Sequence, residues 1–328
     1  MAPTIDTAAV LLYPTFKRTG SDPREYRVGF MNKQGLQVVE PLFEDARPFE
    51  NGFASVKNNG RWGAIDGQLR LRIESLSDRP LRISEDRAVF EFDGRRGVVD
   101  LNGQIIVEPK YRTIGGFHEG ASWMSLNGSY GFIWPDGKEL IAPFYEDARS
   151  FSEGVAPVKL GGKWGFVNKT LDFEIPLQFE FALPFSEGLA RVKQNNVWGY
   201  IDNRGRFAIA PRYAEAREFH EQLAEVKIDA LWGYIDHEGS IVVPPAYRYA
   251  GEFREGLAAV EPHDRPGQQI GFIDRSGGYV ISPRYEMVGT FRHGICLVEL
   301  SEELAYIDHL GAVIWRGPFV DIGRVSEF

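Results

Sequence analysis

The stretch Phe185-Ser186-Glu187-Gly188-Leu189-Ala190-Arg191-Val192-Lys193, with Trp198-Gly199-Tyr200-Ile201-Asp202 and Pro211-Arg212-Tyr213 after it, reads as one small β unit. Leu189 to Lys193 alternates in the manner of a half-buried strand. Gln194-Asn195-Asn196 is turn chemistry, because Asn tolerates left-handed backbone. Trp198 to Asp202 is a second strand. Asp202-Asn203-Arg204-Gly205 then fits a type I turn, with Asp at its first position and Gly at its fourth. Arg206 to Ala210 forms a third strand, Pro211-Arg212-Tyr213 ends it, and Ala214 to Glu221 leads into the next unit.

Working outward, the Trp-Gly pair recurs. Trp62-Gly63, Trp164-Gly165, Trp198-Gly199 and Trp232-Gly233 lie at multiples of 34 residues. Degenerate copies fill the gaps at Val28-Gly29, Arg96-Gly97, Tyr130-Gly131 and Ile270-Gly271, and a last copy at Ala305-Tyr306 has lost its glycine. Every step between glycine positions is 34 residues except one of 38. Fixed-period self-similarity of this length marks a repeat architecture rather than an ordinary globular domain. The chain divides into about nine units, at roughly 8–41, 42–75, 76–109, 110–143, 144–177, 178–211, 212–245, 246–283 and 284–328. Other columns keep the same spacing. A strand-ending aromatic gives Phe43, Tyr111, Tyr145, Phe179, Tyr213, Tyr247 and Tyr285, and a connector Phe gives Phe49, Phe117, Phe151, Phe185, Phe219, Phe253 and Phe291. A small residue in the first strand gives Ala54, Ala88, Ser122, Ala156, Ala190, Ala224, Ala258 and Cys296.

A three-stranded meander cannot bury both faces alone, so neighbouring units must stack. A buried Trp contributes on the order of 4–6 kcal/mol gross, and the Gly after it permits a close backbone approach or a bulge. The predicted fold class is therefore all-β: a repeat protein of three-stranded meander units, as an open β-superhelix or solenoid in preference to a closed β-propeller. The chain begins with a first strand, Ala9 to Pro14, and ends after a third, Ala312 to Phe319, so no permuted blade joins its ends. Propeller blades are also usually four-stranded. The first and last units would then serve as caps.

Phe-Ser-Glu-Gly-Leu-Ala-x-Val, Trp-Gly-Tyr-Ile-Asp-x-x-Gly and Pro-x-Tyr, carried by Phe185 to Tyr213, resemble the bacterial WG (KWG) repeat family. Lys163-Trp164-Gly165 supplies the Lys-Trp-Gly core as well. The resemblance runs from about residue 8 to the end and weakens in units two and three and in the last unit. It implies a binding scaffold without general chemistry of its own. Repeats of this kind also occur in bacterial toxin-system proteins, including immunity partners.

The formal net charge is −9 and the pI about 5.3. The basic footprint of a nucleic-acid binder is absent, whereas an acidic surface suits a basic protein partner. A single cysteine, Cys296, excludes an intramolecular disulfide and is compatible with a reducing compartment. The N-terminus reads as no signal peptide, and no apolar run approaches the roughly 20 residues of a membrane span, so a cytoplasmic location is expected.

The search for chemistry assigns no catalytic, cofactor-binding or metal residue, and no binding residue. The histidines (His118, His220, His237, His263, His293 and His309) lack metal-ligand spacing and read as loop residues. Cys296 reads as a buried structural thiol. The Asp column (Asp66, Asp100, Asp202, Asp236, Asp274 and Asp308) reads as turn-forming rather than as a calcium ladder. Arg47, Arg149 and Arg217, each two residues after an acid (Asp45, Asp147, Glu215), read as local ion pairs, with a ladder for an acidic ligand as the alternative. The Trp column reads as core, with a sugar groove as the alternative. Gly67 to Arg95 reads as a decayed repeat with a salt-bridged surface, and His263 to Gly267 as a tolerated insertion projecting a loop. The expected function is a non-catalytic protein-binding scaffold, most specifically an immunity protein that binds and occludes a toxin or effector. A module for glycans or cell-wall fragments is the alternative.

Overall fold

A computed structural model of the chain describes residues 12–264 and 269–322. Among these residues every regular element is a β-strand. The strands form a succession of short antiparallel sheets, the repeating all-β array that the 34-residue period predicts. Among the described residues no continuous barrel forms.

The fifth unit shows the plan. Asp147–Ala148, Val155–Leu160, Lys163–Asn168 and Phe173–Phe179 are hydrogen-bonded in that order. The sheet thus has four strands where the sequence predicts three. The extra strand is two residues long and comes from the connector, too short to carry a periodic signal. Equivalent strands are Asp45–Ala46, Thr113–Ile114, Glu215–Ala216 and Met287–Val288. In the seventh and eighth units one strand, Ile241–Ala250, is long enough to end one sheet and start the next, which fuses them. The first unit has three described strands, Tyr13–Arg18, Tyr26–Met31 and Gln37–Phe43.

The Trp-Gly glycine has a structural cause. On the middle strand Trp198 pairs with Tyr213 and Tyr200 with Ile209, so two steps on one strand oppose four on the next. The surplus residues, Ala210-Pro211-Arg212, form a bulge opposite Gly199. A Cβ on Gly199 would lie 2.6 Å from the Pro211 nitrogen and 2.7 Å from the Ile209 carbonyl oxygen. Gly29, Gly63, Gly97, Gly165, Gly233 and Gly271 face the same obstruction. The last unit tests this account within the chain: Ala305 replaces the glycine, and there Ala305 pairs with Arg316 and Tyr306 with Trp315 in regular register. Without the bulge, a side chain fits.

The two residues after the glycine are both buried, as in Phe166-Val167 and Tyr234-Ile235, which strict alternation against one core would not give. Both faces of each inner sheet are covered by neighbours. The residue after the glycine packs against the connector Phe of the following unit: Phe132 on Phe151, Phe166 on Phe185, Tyr200 on Phe219, Tyr234 on Phe253 and Phe272 on Phe291, with ring centroids 4.8–5.2 Å apart. One core cluster accordingly mixes Trp164, Phe166, Ile175 and Phe179 with Ala182, Phe185, Ala190 and Val192 of the next unit.

The end units are not free caps. Leu12, Tyr13, Phe16, Phe30 and Met31 share a core with Ile295, Leu297, Leu304, Tyr306, Val320 and Ile322. Tyr13 meets Tyr306 edge to face at 5.9 Å, and the Asp321 amide donates to the Pro23 carbonyl at 3.0 Å. The array therefore comes back to its start, each terminal unit burying an apolar face that a polar cap would not present. The insertion at His263 to Gly267 falls largely outside the described residues.

Candidate functional site

The repeated polar columns are consumed inside the array. Each Asp of the turn column folds its own turn: the Asp202 Oδ1 accepts from the amides of Arg204 and Arg206 at 2.9 Å, and Asp66, Asp100, Asp236, Asp274 and Asp308 do the same. The Trp rings lie under guanidinium groups, Arg47 over Trp62, Arg149 over Trp164, Arg191 over Trp198 and Arg217 over Trp232, at 5.0–5.4 Å. Such stacking is a cation–π contact. Arg47 and Arg149 also pair with Asp45 and Asp147, as predicted. Arg217 departs from the prediction: Glu215 pairs instead with Lys227 at 2.8 Å, which leaves Arg217 to face Glu225.

A third column is an inter-unit ladder. The glutamates of the connector turn adopt positive φ near 50°, among them Glu85, Glu119, Glu153 and Glu221. These carboxylates accept from backbone amides of the following unit, Glu119 from Gly154, Glu153 from Gly188 and Glu221 from Gly256 at 3.0 Å, and Glu187 from Gln222 at 2.7 Å. Turn cations close on the same carboxylates, Lys169 on Glu119 and Arg275 on Glu221.

The outermost long strand of most units leaves one apolar side chain half-exposed at a fixed position: Leu71, Ile105, Phe173, Phe207, Ile241, Tyr279 and Val313. Single exposed apolar residues are ordinary; here one recurs at the same position of successive units.

The most unusual chemistry lies in a cavity of about 240 Å³ where the seventh, eighth and ninth units meet, lined by Arg217, Glu218, His220, Glu225, Tyr249 and Glu252 against apolar walls that include Leu257, Phe272 and Phe291. Glu225 points from the strand Ala224–Ile228 at a position paired with Tyr234. It is 1 % exposed, and neither carboxylate oxygen accepts a hydrogen bond. Its nearest cation is Arg217, at 3.9 Å. Burial raises its pKa to about 7. Beside it, His220 Nε2 lies 2.9 Å from Glu252, whose other oxygen accepts from Arg254 at 2.9 Å. These hydrogen bonds hold Glu252 down at about 2, and its contact with Glu252 raises His220.

His220 therefore departs from the surface-loop reading, whereas His118, His263 and His293 are exposed. Cys296 is buried as predicted, and burial pushes its thiol up. Among the described residues no group of three or more His, Cys, Asp or Glu is placed to hold a metal ion, and no helix is long and apolar enough to cross a membrane. Glu225 is absent from the sequence reading. Its signal is a mismatch: the equivalent positions hold Ser55, Val89, Trp123, Pro157, Arg191, Ala259 and Leu297.

A family model described as a WG containing repeat matches residues 29–62, 97–130, 130–164, 164–198, 198–232, 232–261 and 270–302. No curated protein matches the sequence. Among solved structures, a eukaryotic initiation factor is similar with a TM-score of 0.59 and 10% identity, over 93% of this chain and 95% of that one. The dihydro-heme d1 dehydrogenase NirN is similar with a TM-score of 0.52 and 13% identity, over 82% of this chain and 74% of that one. At such identities the likeness concerns the fold alone.

Proposed function

The chain belongs to the WG-containing-repeat family, and from that premise we propose that it is a non-catalytic protein-binding scaffold, acting in the cytoplasm as an immunity protein that occludes a basic toxin or effector. The observation that carries the scaffold reading is the periodic row Leu71, Ile105, Phe173, Phe207, Ile241, Tyr279 and Val313 on outer strands. It offers one apolar anchor per unit, with successive ones such as Phe173 and Phe207 available to a partner that spans neighbouring units, while the Asp, Arg and Glu columns are spent within the array. The net charge of −9 favours encounter with a basic partner. The glycan reading loses its main support, since Trp62, Trp164 and Trp232 are buried and Arg side chains cover them.

The test is affinity capture from the native cell at low salt, read by mass spectrometry, with wild type beside the Phe173→Lys, Phe207→Lys double variant. A stoichiometric basic partner, lost from the variant and toxic when expressed alone, is the expected result. Capture of no protein at low salt refutes the scaffold reading, and a partner that is harmless alone refutes immunity.

A further inference from the structure

We propose that the cavity floored by Glu225 is a binding site for a small organic cation, a primary ammonium or guanidinium group on a short apolar stem, which donates hydrogen bonds to the Glu225 carboxylate. Three observations carry it. The floor is a carboxylate with both oxygens buried and accepting no hydrogen bond, and buried polar atoms without partners are rare in native proteins because each costs its full desolvation. Inside the protein, the cation nearest to it forms an ion pair without a hydrogen bond. Arg217 stands 3.9 Å away with its guanidinium laid over the Trp232 ring at 5.0 Å and near Tyr249 at 5.7 Å. Glu218, in turn, is engaged by Arg191 at 2.9 Å.

The cavity also has a polarity. Its mouth is formed by Arg217, Tyr249 and Glu252, whose side chains are over a third exposed or close to it, and its floor by Glu225 at 1 %. Leu257, Phe272 and Phe291 line the way with apolar surface. A ligand with an apolar stem and a donor head matches that order: of the acids in the cavity, Glu252 is paired with His220 and Arg254 and Glu218 with Arg191, which leaves Glu225 as the acceptor for the head. The cavity lies apart from the outer apolar row, so this site and the scaffold reading fail separately: the Phe173→Lys, Phe207→Lys variant retains the cation site whether or not it loses a partner.

The head group is shared by free amines and by Lys or Arg side chains of a peptide. The experiment titrates the full chain at pH 8.5 with butylammonium, butylguanidinium, the neutral control butanol, and the peptide acetyl-Gly-Lys-Gly-amide, by calorimetry and saturation-transfer NMR. The expected result is saturable binding of at least one cation, none of butanol, and at least about tenfold weaker binding to Glu225→Gln, since a lost charge-assisted hydrogen bond is worth that much. A peptide that binds as well as butylammonium identifies a side chain as the natural group, and a peptide that is excluded identifies a free amine. The Glu225 carboxyl ¹³C resonance of the wild-type chain supplies a readout that needs no variant, and it moves on addition of the bound cation. No saturable binding of either cation up to about 20 mM, binding undiminished by Glu225→Gln, or a stationary ¹³C resonance at saturation overturns the proposal.

Discussion

Replacing Glu225 by Gln changes stability in a way that depends on pH, and the structure sets both sign and size. A carboxyl whose midpoint moves from 4.5 to about 7 on folding binds its proton more tightly in the folded chain. At 1.36 kcal/mol for each tenfold change the difference is about 3 kcal/mol. For an acid raised on folding, that contribution is fully present below pH 4.5 and is lost as pH rises through 7. Gln keeps the shape of the neutral acid and does not titrate. The stability of Glu225→Gln relative to wild type therefore rises by about 2–3 kcal/mol between pH 5 and pH 8. Urea unfolding at both pH values, followed by tryptophan fluorescence, measures it. Subtracting the two chains cancels groups that titrate in both and lie away from Glu225, whereas His220 and Glu252, whose charges act on Glu225, stay in the difference. A difference that does not vary with pH, or a variant less stable than wild type at pH 8, refutes the reasoning. Either result means that Arg217 holds Glu225 as a stabilised ion and that burial is not the larger effect.

Three further outcomes follow from the geometry. Gly165→Ala puts a Cβ 2.6 Å from the Ile175 carbonyl oxygen and 2.9 Å from backbone atoms of the bulge; backbone cannot yield as a side chain does, so the cost is about 3 kcal/mol, whereas Ala305→Gly costs no more than about 1 kcal/mol, as paired urea curves would register. Arg149→Met uncovers Trp164 and breaks the Asp147 pair, which lowers stability by about 1 kcal/mol; a variant as stable as wild type would contradict a structural role for the arginine column. His220 is raised by Glu252, so its contribution is present at low pH and disappears as pH climbs through its folded midpoint. His220→Gln should accordingly be destabilised at pH 5.5 and close to wild type at pH 9, and the opposite order in thermal melts would count against the pair.

What the sequence discloses here is set by whether a contact repeats. The Trp-Gly and Pro-x-Tyr features are two ends of one contact, Gly199 against the bulge at Pro211, and a contact made in unit after unit imprints a period. The same logic made the Asp turns, the Arg47 and Arg149 pairs and the burial of Cys296 readable. The fourth strand escaped because two residues, such as Asp147 and Ala148, have no period to show. The meeting of the two ends left a fainter trace. Tyr13, Phe16 and Trp315 are large apolar residues at faces where a capping unit would carry polar ones. Read from the sequence, the departures of the terminal units suggested caps; in the structure each end covers the other. Glu225 was hidden for the converse reason. A column read by what its members share discards the member that differs, and Glu225 stands among Ser, Val, Trp, Pro, Arg, Ala and Leu. In a repeat array the shared residues build the scaffold. A carboxylate that one unit alone buries without a hydrogen bond does no work for the fold, which makes the breaks in the pattern, rather than the pattern, the place to look for what distinguishes this chain from other arrays of its kind.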